Sequence, residues 1–247
     1  MEEIRISAVS YLNSKPFIYG LAHSVIQGLH LELDIPSVCA DKLLKNKADI
    51  GLVPVAIIPL LKDYTIVSDF CIGAVGAVGS VMLYSDVPLE KIENIYLDYQ
   101  SRTSIALVKI IAINYWKIKP NWMEAKENYE TGISGSTAAV VIGDRTFEMR
   151  NKFKYCYDLA EAWTNYTGLP FVFACWVSNK QLPFQFIRQF NQAMKYGVDN
   201  IERMINEWEL DKKYNTNVSK YLNNNISYNY DLAKQKGMKL FLEYLKN

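Results

Sequence analysis

The feature that most constrains this chain is an alternation of strand-length apolar runs with helical patterns, and a restart of that alternation part-way along. IRISAVS leads to a helix-like SKPFIYGLAHSVIQ, then to the strand-like LHLELDIP, a short helix, and ADIGLVPVAIIPLL. Such a series implies a mainly parallel sheet with helices on its faces. Two strand-like pieces follow, YTIVSDFCIGAVG and SVMLYSDVP, and near residue 86 the pattern begins again. NIYLD runs into SRTSIALVKIIAINYW, a long helix with Ser or Thr near its start; PNWMEA, a turn at TGISGS and the apolar TAAVVIGD come next. Beyond FVFACWVS the chain reads as helical to its end, with apolar residues three to four apart in LPFQFIRQFNQAMKYGVDNIERMINEW and in YDLAKQKGMKLFLEYL.

No linker rich in Ser, Pro or Gly separates the two α/β units, so they are expected to be lobes joined by strands that cross between them. The expected crossings are SVMLYS on the way out and VFACWVS on the way back. Lobe one would hold residues 1–84 and 175–247, and lobe two residues 85–174. The crevice would be lined by SYLN and GAVGS from one side and by SRTS and IGD from the other, a place where ligands commonly sit. At the first strand end, Ser10, Tyr11 and Asn13 form a neutral hydrogen-bonding cluster before Pro16. That is where open α/β sheets put ligand-contacting groups.

Several function classes fall away on composition. Of 247 residues 50% are hydrophobic, enough for a sizeable core, and 27 basic against 26 acidic side chains leave a formal charge of +1. With no global field to steer it, nucleic acid is not an expected partner. No apolar run reaches the length of a membrane span, so membrane insertion is not expected, and MEEIRIS lacks the basic and apolar regions of an export signal, so a cytoplasmic location is expected. Cys39, Cys71, Cys156 and Cys175 are widely spaced and are read as buried free thiols; His23 and His30 are read as solvated. No metal and no cofactor is expected, and the commonest general base is missing from the candidates. The oligomeric state is left open.

Taken jointly and in order, SYLNSKP, ADIGLVPV, YLDYQSRTS, VVIGD and YDLAEAWTNYTGLPFVFACW closely resemble the chorismate dehydratases of the futalosine route to menaquinone, over nearly the whole chain. The resemblance implies a type II periplasmic-binding-protein fold used as an enzyme, a carbon–oxygen lyase that converts chorismate to 3-[(1-carboxyvinyl)oxy]benzoate and water. The sister family of 1,4-dihydroxy-6-naphthoate synthases shares that fold but has GLPLPLG where this chain has GLPFVFA. A non-catalytic protein that closes on a small anion is the rival reading from another class.

Such a reaction needs anion binders, a base and help for the leaving oxygen. Ser101, Arg102, Thr103 and Ser104 at a helix start could bind a carboxylate through hydroxyls, backbone N–H groups and the Arg102 guanidinium; equally they could be a plain cap with Arg102 in solvent. Ser80 could serve a second carboxylate or simply a turn. Asn13 is assigned to the catalytic site, where an amide that cannot ionise orients the reacting part of chorismate; Ser10, Tyr11 and Asp144 join the substrate-binding set. Asp98 and Asp144 end strands and could be bases, although such aspartates more often cap the next helix. With no clear protein base, the enolpyruvyl carboxylate of the substrate could take the C3 proton itself. Trp163, Leu169, Pro170, Phe171 and Phe173 fit core packing better than a ligand pocket, and NTNVSKYLNNNISYNY is read as a polar surface connection.

Overall fold

A computed structural model describes residues 3–246, and its eleven described strands form two mixed sheets. The first strands, β1 (Ile4–Val9), β2 (Leu29–Asp34), β3 (Ile50–Pro54) and β4 (Thr65–Ala74), enter a six-stranded sheet together with β10 (Phe171–Ser178) and β11 (Ser227–Asn229), in the order β11-β4-β10-β3-β1-β2. The second sheet holds β5 (Val81–Ser85), β6 (Asn94–Leu97), β7 (Asn121–Glu124), β8 (Thr137–Ile142) and β9 (Tyr155–Asp158), in the order β7-β6-β8-β5-β9. β1 runs parallel to both β2 and β3, and β6 runs parallel to both β7 and β8. Antiparallel pairing enters through β10 beside β3 and β4, and through β5 beside β8 and β9. These are the strands next to the passages from one sheet to the other.

Local chemistry explains the elements. α1 (Lys15–Ala22) starts with Pro16 in its first turn, where a missing N–H costs nothing. The helix-like pattern in the sequence ran on through Gln27, but α1 stops at Ala22: the β-branched pair Val25 and Ile26 is a weak helix former, and Gly28 takes a positive φ of 71° that turns the chain into β2. α2 (Pro36–Leu44) likewise opens on proline. α3 (Arg102–Ile111) is capped by Ser101, whose hydroxyl accepts from the Ser104 N–H. α4 (Arg145–Met149) follows β8, and α5 (Leu159–Thr167) carries the chain from β9 to β10 under an Asp158 cap that accepts from Ala160 and Glu161 N–H. α6 (Phe184–Asp199) lies across α1 with its backbone almost touching: a Cβ on Gly20 would stand 1.9 Å from the Ala193 carbonyl oxygen.

One apolar core runs through both sheets, joining Leu52 and Val53 of β3 to Leu83, Ile95 and Val140 of the second sheet. Trp163 and Phe171 are buried in that core, edge-on at 5.4 Å between ring centres, as the packing reading requires. Two expectations need correction. Cys156 is exposed on β9 at the sheet edge, whereas Cys39, Cys71 and Cys175 are buried. The Asn- and Tyr-rich stretch is not a surface connection: it forms α8 (Val218–Lys220), a π-type turn and β11, and it buries Val218, Tyr221, Leu222 and Tyr228. α7 (Ile201–Glu207) and α9 (Leu232–Tyr244) flank it.

Candidate functional site

A cleft with about 490 Å³ of empty volume, its mouth included, lies where strand ends of the two sheets face each other. Val9 and Pro54, ending β1 and β3, line one side, and Val81 and Ile142 of the second sheet line the other. Ligands in open α/β folds sit beyond the carboxyl ends of strands for a backbone reason: the side chains and N–H groups there are not committed to the sheet.

After β1 the chain makes a tight 3-10 turn, Leu12–Ser14, closed by the Ser14 hydroxyl donating to the Tyr11 carbonyl at 2.8 Å. Leu12 and Ser14 turn inward and Asn13 turns to the cleft. The Asn13 Oδ1 is buried and has no hydrogen-bond partner. Such an orphan acceptor costs on the order of 1–3 kcal/mol, a cost that a donor on a ligand would remove. Ser80 comes from the turn before β5; it is 2% exposed, and its Oγ accepts from the Tyr221 hydroxyl at 2.8 Å. Ser101 and Ser104 come from the first turn of α3, their hydroxyls 3.2 Å apart with Ser104 donating. Because Ser101 Oγ accepts from Ser104, its own proton is left to point elsewhere. Apolar walls are given by Pro36, Ile72, Val78 and Phe173. Phe173, read as core from sequence, is buried in the apolar core and also gives the cleft a wall.

Tyr11 closes one edge. Its hydroxyl donates to Gln100 Oε1, and its ring lies flat against Gly143, where an added Cβ would come within 2.7 Å of two ring carbons. Gly143 also has φ +68°, so two separate reasons demand glycine there. Burial pushes the Tyr11 phenol well above its ordinary range, with Asp98 and Asp144 adding to the rise and Arg145 opposing it.

Five of the sequence candidates, Tyr11, Asn13, Ser80, Ser101 and Ser104, thus share one cleft. The other four are placed elsewhere. Ser10 continues the sheet, its N–H donating to the Asp34 carbonyl. The Arg102 guanidinium pairs with Asp41 at 3.0 Å, with both side chains more than two-fifths exposed. Thr103 is wholly buried and its hydroxyl accepts from the Ala56 N–H at 3.1 Å, tying α3 to the segment after β3. Asp144 does not cap α4 with its side chain; both carboxylate oxygens accept from the Leu12 N–H, at 3.0 and 3.1 Å. Burial raises its pKa to about 6, against the weaker pull of Leu12 N–H and Lys15. Asp98, too, is not the cap of its following helix. It is buried in an ion pair with Arg145 and accepts from Tyr129, Gln100 and Ile142. Among the described residues the cleft lining includes no carboxylate and no cation.

What sequence reasoning missed is Tyr221, which backs Ser80 from a stretch whose asparagines suggested solvent. The signal present was the spacing of Val218, Tyr221 and Leu222, one apolar face of a helical turn. Gln100, the partner of Tyr11, gave no signal of its own.

A family model for menaquinone biosynthesis matches residues 4–247. Among solved structures, a protein of Archaeoglobus fulgidus superposes with a TM-score of 0.75 at 13% identity, covering 99% of this chain and 97% of that one. A Candida albicans gene product described as having the generic periplasmic-binding-protein fold gives 0.64 at 10% identity, covering 100% and 90%. The periplasmic aliphatic sulphonate binding protein of Escherichia coli gives 0.60 at 15% identity, covering 98% and 92%. At these identities the likeness is one of fold: two lobes, each with a sheet flanked by helices, around a cleft. Among the described residues no helix is long and apolar enough to cross a membrane.

Proposed function

We propose that this chain, which belongs to the menaquinone-biosynthesis family, is a chorismate dehydratase, forming 3-[(1-carboxyvinyl)oxy]benzoate and water. The observation that carries the reading is the orphan Asn13 Oδ1, buried at the edge of a cleft whose other polar groups are serine hydroxyls and whose walls are apolar. A ring with one hydroxyl and flanking carboxylates complements that arrangement: the hydroxyl donates to Oδ1, the carboxylates accept from Ser80 and Ser101 and from the first-turn N–H groups of α3, and the ring faces Ile72, Val78 and Phe173.

In the elimination, the C3–H bond breaks and its electron pair forms the C3–C4 double bond; the C4–O bond breaks, and the proton and hydroxyl leave as water. Charge developing at C3 is conjugated through C1–C2 to the ring carboxylate, so donors at that carboxylate stabilise the transition state. The neutral lining supports a proton acceptor supplied by the substrate, its enolpyruvyl carboxylate beside C3. Asn13 then orients the leaving hydroxyl, and the enzyme works by positioning and fixed dipoles. Asp98 is committed to Arg145 and Asp144 to Leu12 N–H, which supports the same assignment.

The test is incubation of the purified protein with chorismate, without added metal or nucleotide, followed by chromatography and mass measurement. Loss of one water with a new aromatic chromophore is expected, slowed at least about 100-fold in folded Asn13→Ala, with substantial turnover kept in folded Asp98→Asn and Asp144→Asn. A chorismate-dependent rise in melting temperature without product would move the protein to the binding class.

A further inference from the structure

Two passages carry the chain between the sheets: residues 75–80, from β4 to β5, and residues 159–170, from β9 through α5 to β10. Asp158 joins them. It ends β9, where it pairs with Met82 of β5, and it is buried. Its Oδ1 accepts from the Ala160 and Glu161 N–H groups at 2.9 and 3.1 Å and so caps α5, while its Oδ2 accepts from the Gly79 N–H at 2.6 Å. A cap alone needs one oxygen, which serine supplies about as well as aspartate. Acceptance on two oxygens is what the carboxylate adds.

The Gly79 N–H belongs to the turn that delivers Ser80 to the cleft. Gly76 and Gly79 take φ of +93° and +72°, and a Cβ on Gly76 would meet nothing within 4 Å, so this passage has wide backbone freedom of its own. Three other hydrogen bonds hold it: Asn225 Nδ2 donates to the Ala77 carbonyl at 3.0 Å, Thr146 Oγ1 to the Gly79 carbonyl at 3.3 Å, and the Gly143 N–H to the Ser80 carbonyl at 2.9 Å. The Asp158 bond is shorter than each of these and is the one made to a carboxylate. We propose that Asp158 is a positioning residue that sets Ser80 in the cleft by holding the peptide just before it. The proposal rests on the reading of Ser80 as a group that binds a chorismate carboxylate; the hold on the turn itself does not.

The experiment is a double-mutant cycle of Asp158→Ser and Ser80→Ala, read as kcat/KM for chorismate, with the fold checked by circular dichroism. Asp158→Ser keeps a cap for α5 and removes the acceptor for Gly79 N–H. In the presence of Ser80 it is expected to lower kcat/KM at least about tenfold, in line with the loss of one hydrogen bond to a charged group. On the Ser80→Ala background the same change is expected to cost less than about twofold, because the group it positions is already gone. A merely structural aspartate would cost the same on both backgrounds, and that result overturns the proposal. So does a folded Asp158→Ser with wild-type kcat/KM. Should Asp158→Ser fail to fold, Asp158→Asn takes its place in the cycle, since an amide has one acceptor oxygen for the two duties, and the same outcomes decide. A crystal structure of the variant supplies the readout that does not depend on chorismate: Ser80 Oγ is expected to leave the Tyr221 hydroxyl, 2.8 Å away in the wild type, while α5 stays capped. A turn still in its wild-type place overturns the proposal. A wild type that makes no product sinks the dehydratase reading, and the role of Asp158 is then decided by that structure.

Discussion

Asp98 and Asp144 follow neighbouring strands of the same five-stranded sheet, and the difference between their surroundings shows how position after a strand leaves a carboxylate's role undecided. Asp98, after β6, has zero exposure and is met by the Arg145 guanidinium, the Tyr129 hydroxyl at 2.7 Å and the N–H groups of Gln100 and Ile142 at 2.9 and 3.0 Å. Asp144, after β8, is half-buried and has one backbone N–H and a distant lysine. Burial raises both carboxyls, but only Asp98 has a full set of partners to set against the desolvation. One is a structural ion pair at the end of the five-stranded sheet. The other reaches from that sheet to the turn that carries Asn13.

The strongest way to break this contrast is to delete the better-compensated member. Asp98→Ala would leave Arg145, already bearing an unpartnered Nε, with Glu130 at 2.5 Å as its remaining carboxylate, and would orphan the Ile142 N–H, while Tyr129 keeps its bond to the Val140 carbonyl at 2.6 Å. Breaking a buried pair from one side costs about 3–5 kcal/mol, which for a chain of this size lowers the melting temperature by roughly 10 °C. A denaturant midpoint within error of wild type would mean that the pair contributes nothing and that the contrast with Asp144 is empty.

Gly143, the residue just before Asp144, comes next. In Gly143→Ala the methyl meets the Tyr11 ring and the backbone keeps a positive φ, together worth about 2–4 kcal/mol. Tyr11 should also lose its seat, which a change in the hydroxyl's link to Gln100 would reveal in a crystal structure. Unchanged stability would mean that the two lobes meet loosely at this edge.

How much of this was legible in sequence follows from the range of the contacts. The strands, the capped start of α3 and the convergence of strand ends were readable because each depends on spacing within a few residues. Ser101 as a cap needs only Ser104 three positions on. The partner of Asp98 is Arg145, 47 residues away, and the partner of Ser80 is Tyr221, 141 residues away. No local pattern encodes such distances. Asn223, Asn224 and Asn225 made the stretch around Tyr221 read as solvated, although it is held by a three-residue strand pairing with β4. Arg102 failed for the opposite reason: its neighbours in sequence line the cleft, but a helix turns successive side chains about 100° apart, and Arg102 falls on the outer side with Asp41.

A gentler probe of the comparison is the pH dependence of stability. The folded Asp144 pKa, about 6, lies above its ordinary 3.8, so the folded state holds the proton more tightly than the unfolded state does. The sign is therefore that Asp144 costs stability as pH rises from about 4 to about 6 and the full cost persists above that window. The shift corresponds to at most about 3 kcal/mol. Asp144→Asn keeps an acceptor for Leu12 N–H and removes the titration, so wild type should fall relative to the variant across this window and by less than that limit at pH 7. Parallel stability curves from pH 4 to 7 would show that the desolvation of Asp144 is fully offset in the folded state.

The smallest effect is expected where an ion pair of the same chemistry as Asp98–Arg145 stands in water. Arg102 and Asp41 meet at 3.0 Å with side chains 44% and 45% exposed, on the face of α3 that turns away from the cleft. Solvent screens the attraction, and two long side chains must be ordered to make it, so Arg102→Ala should change stability by no more than about 0.5 kcal/mol. A double-mutant cycle with Asp41→Ala isolates the pair from the helix propensity that alanine adds. The coupling should also shrink on raising salt, since exposed charges are screened over about 10 Å at 0.1 M. A coupling comparable to the loss in Asp98→Ala would mean that enclosure is not what separates the two pairs, and the account of why one strand-end aspartate is structural and the other is a tether would have to rest on hydrogen-bond count alone.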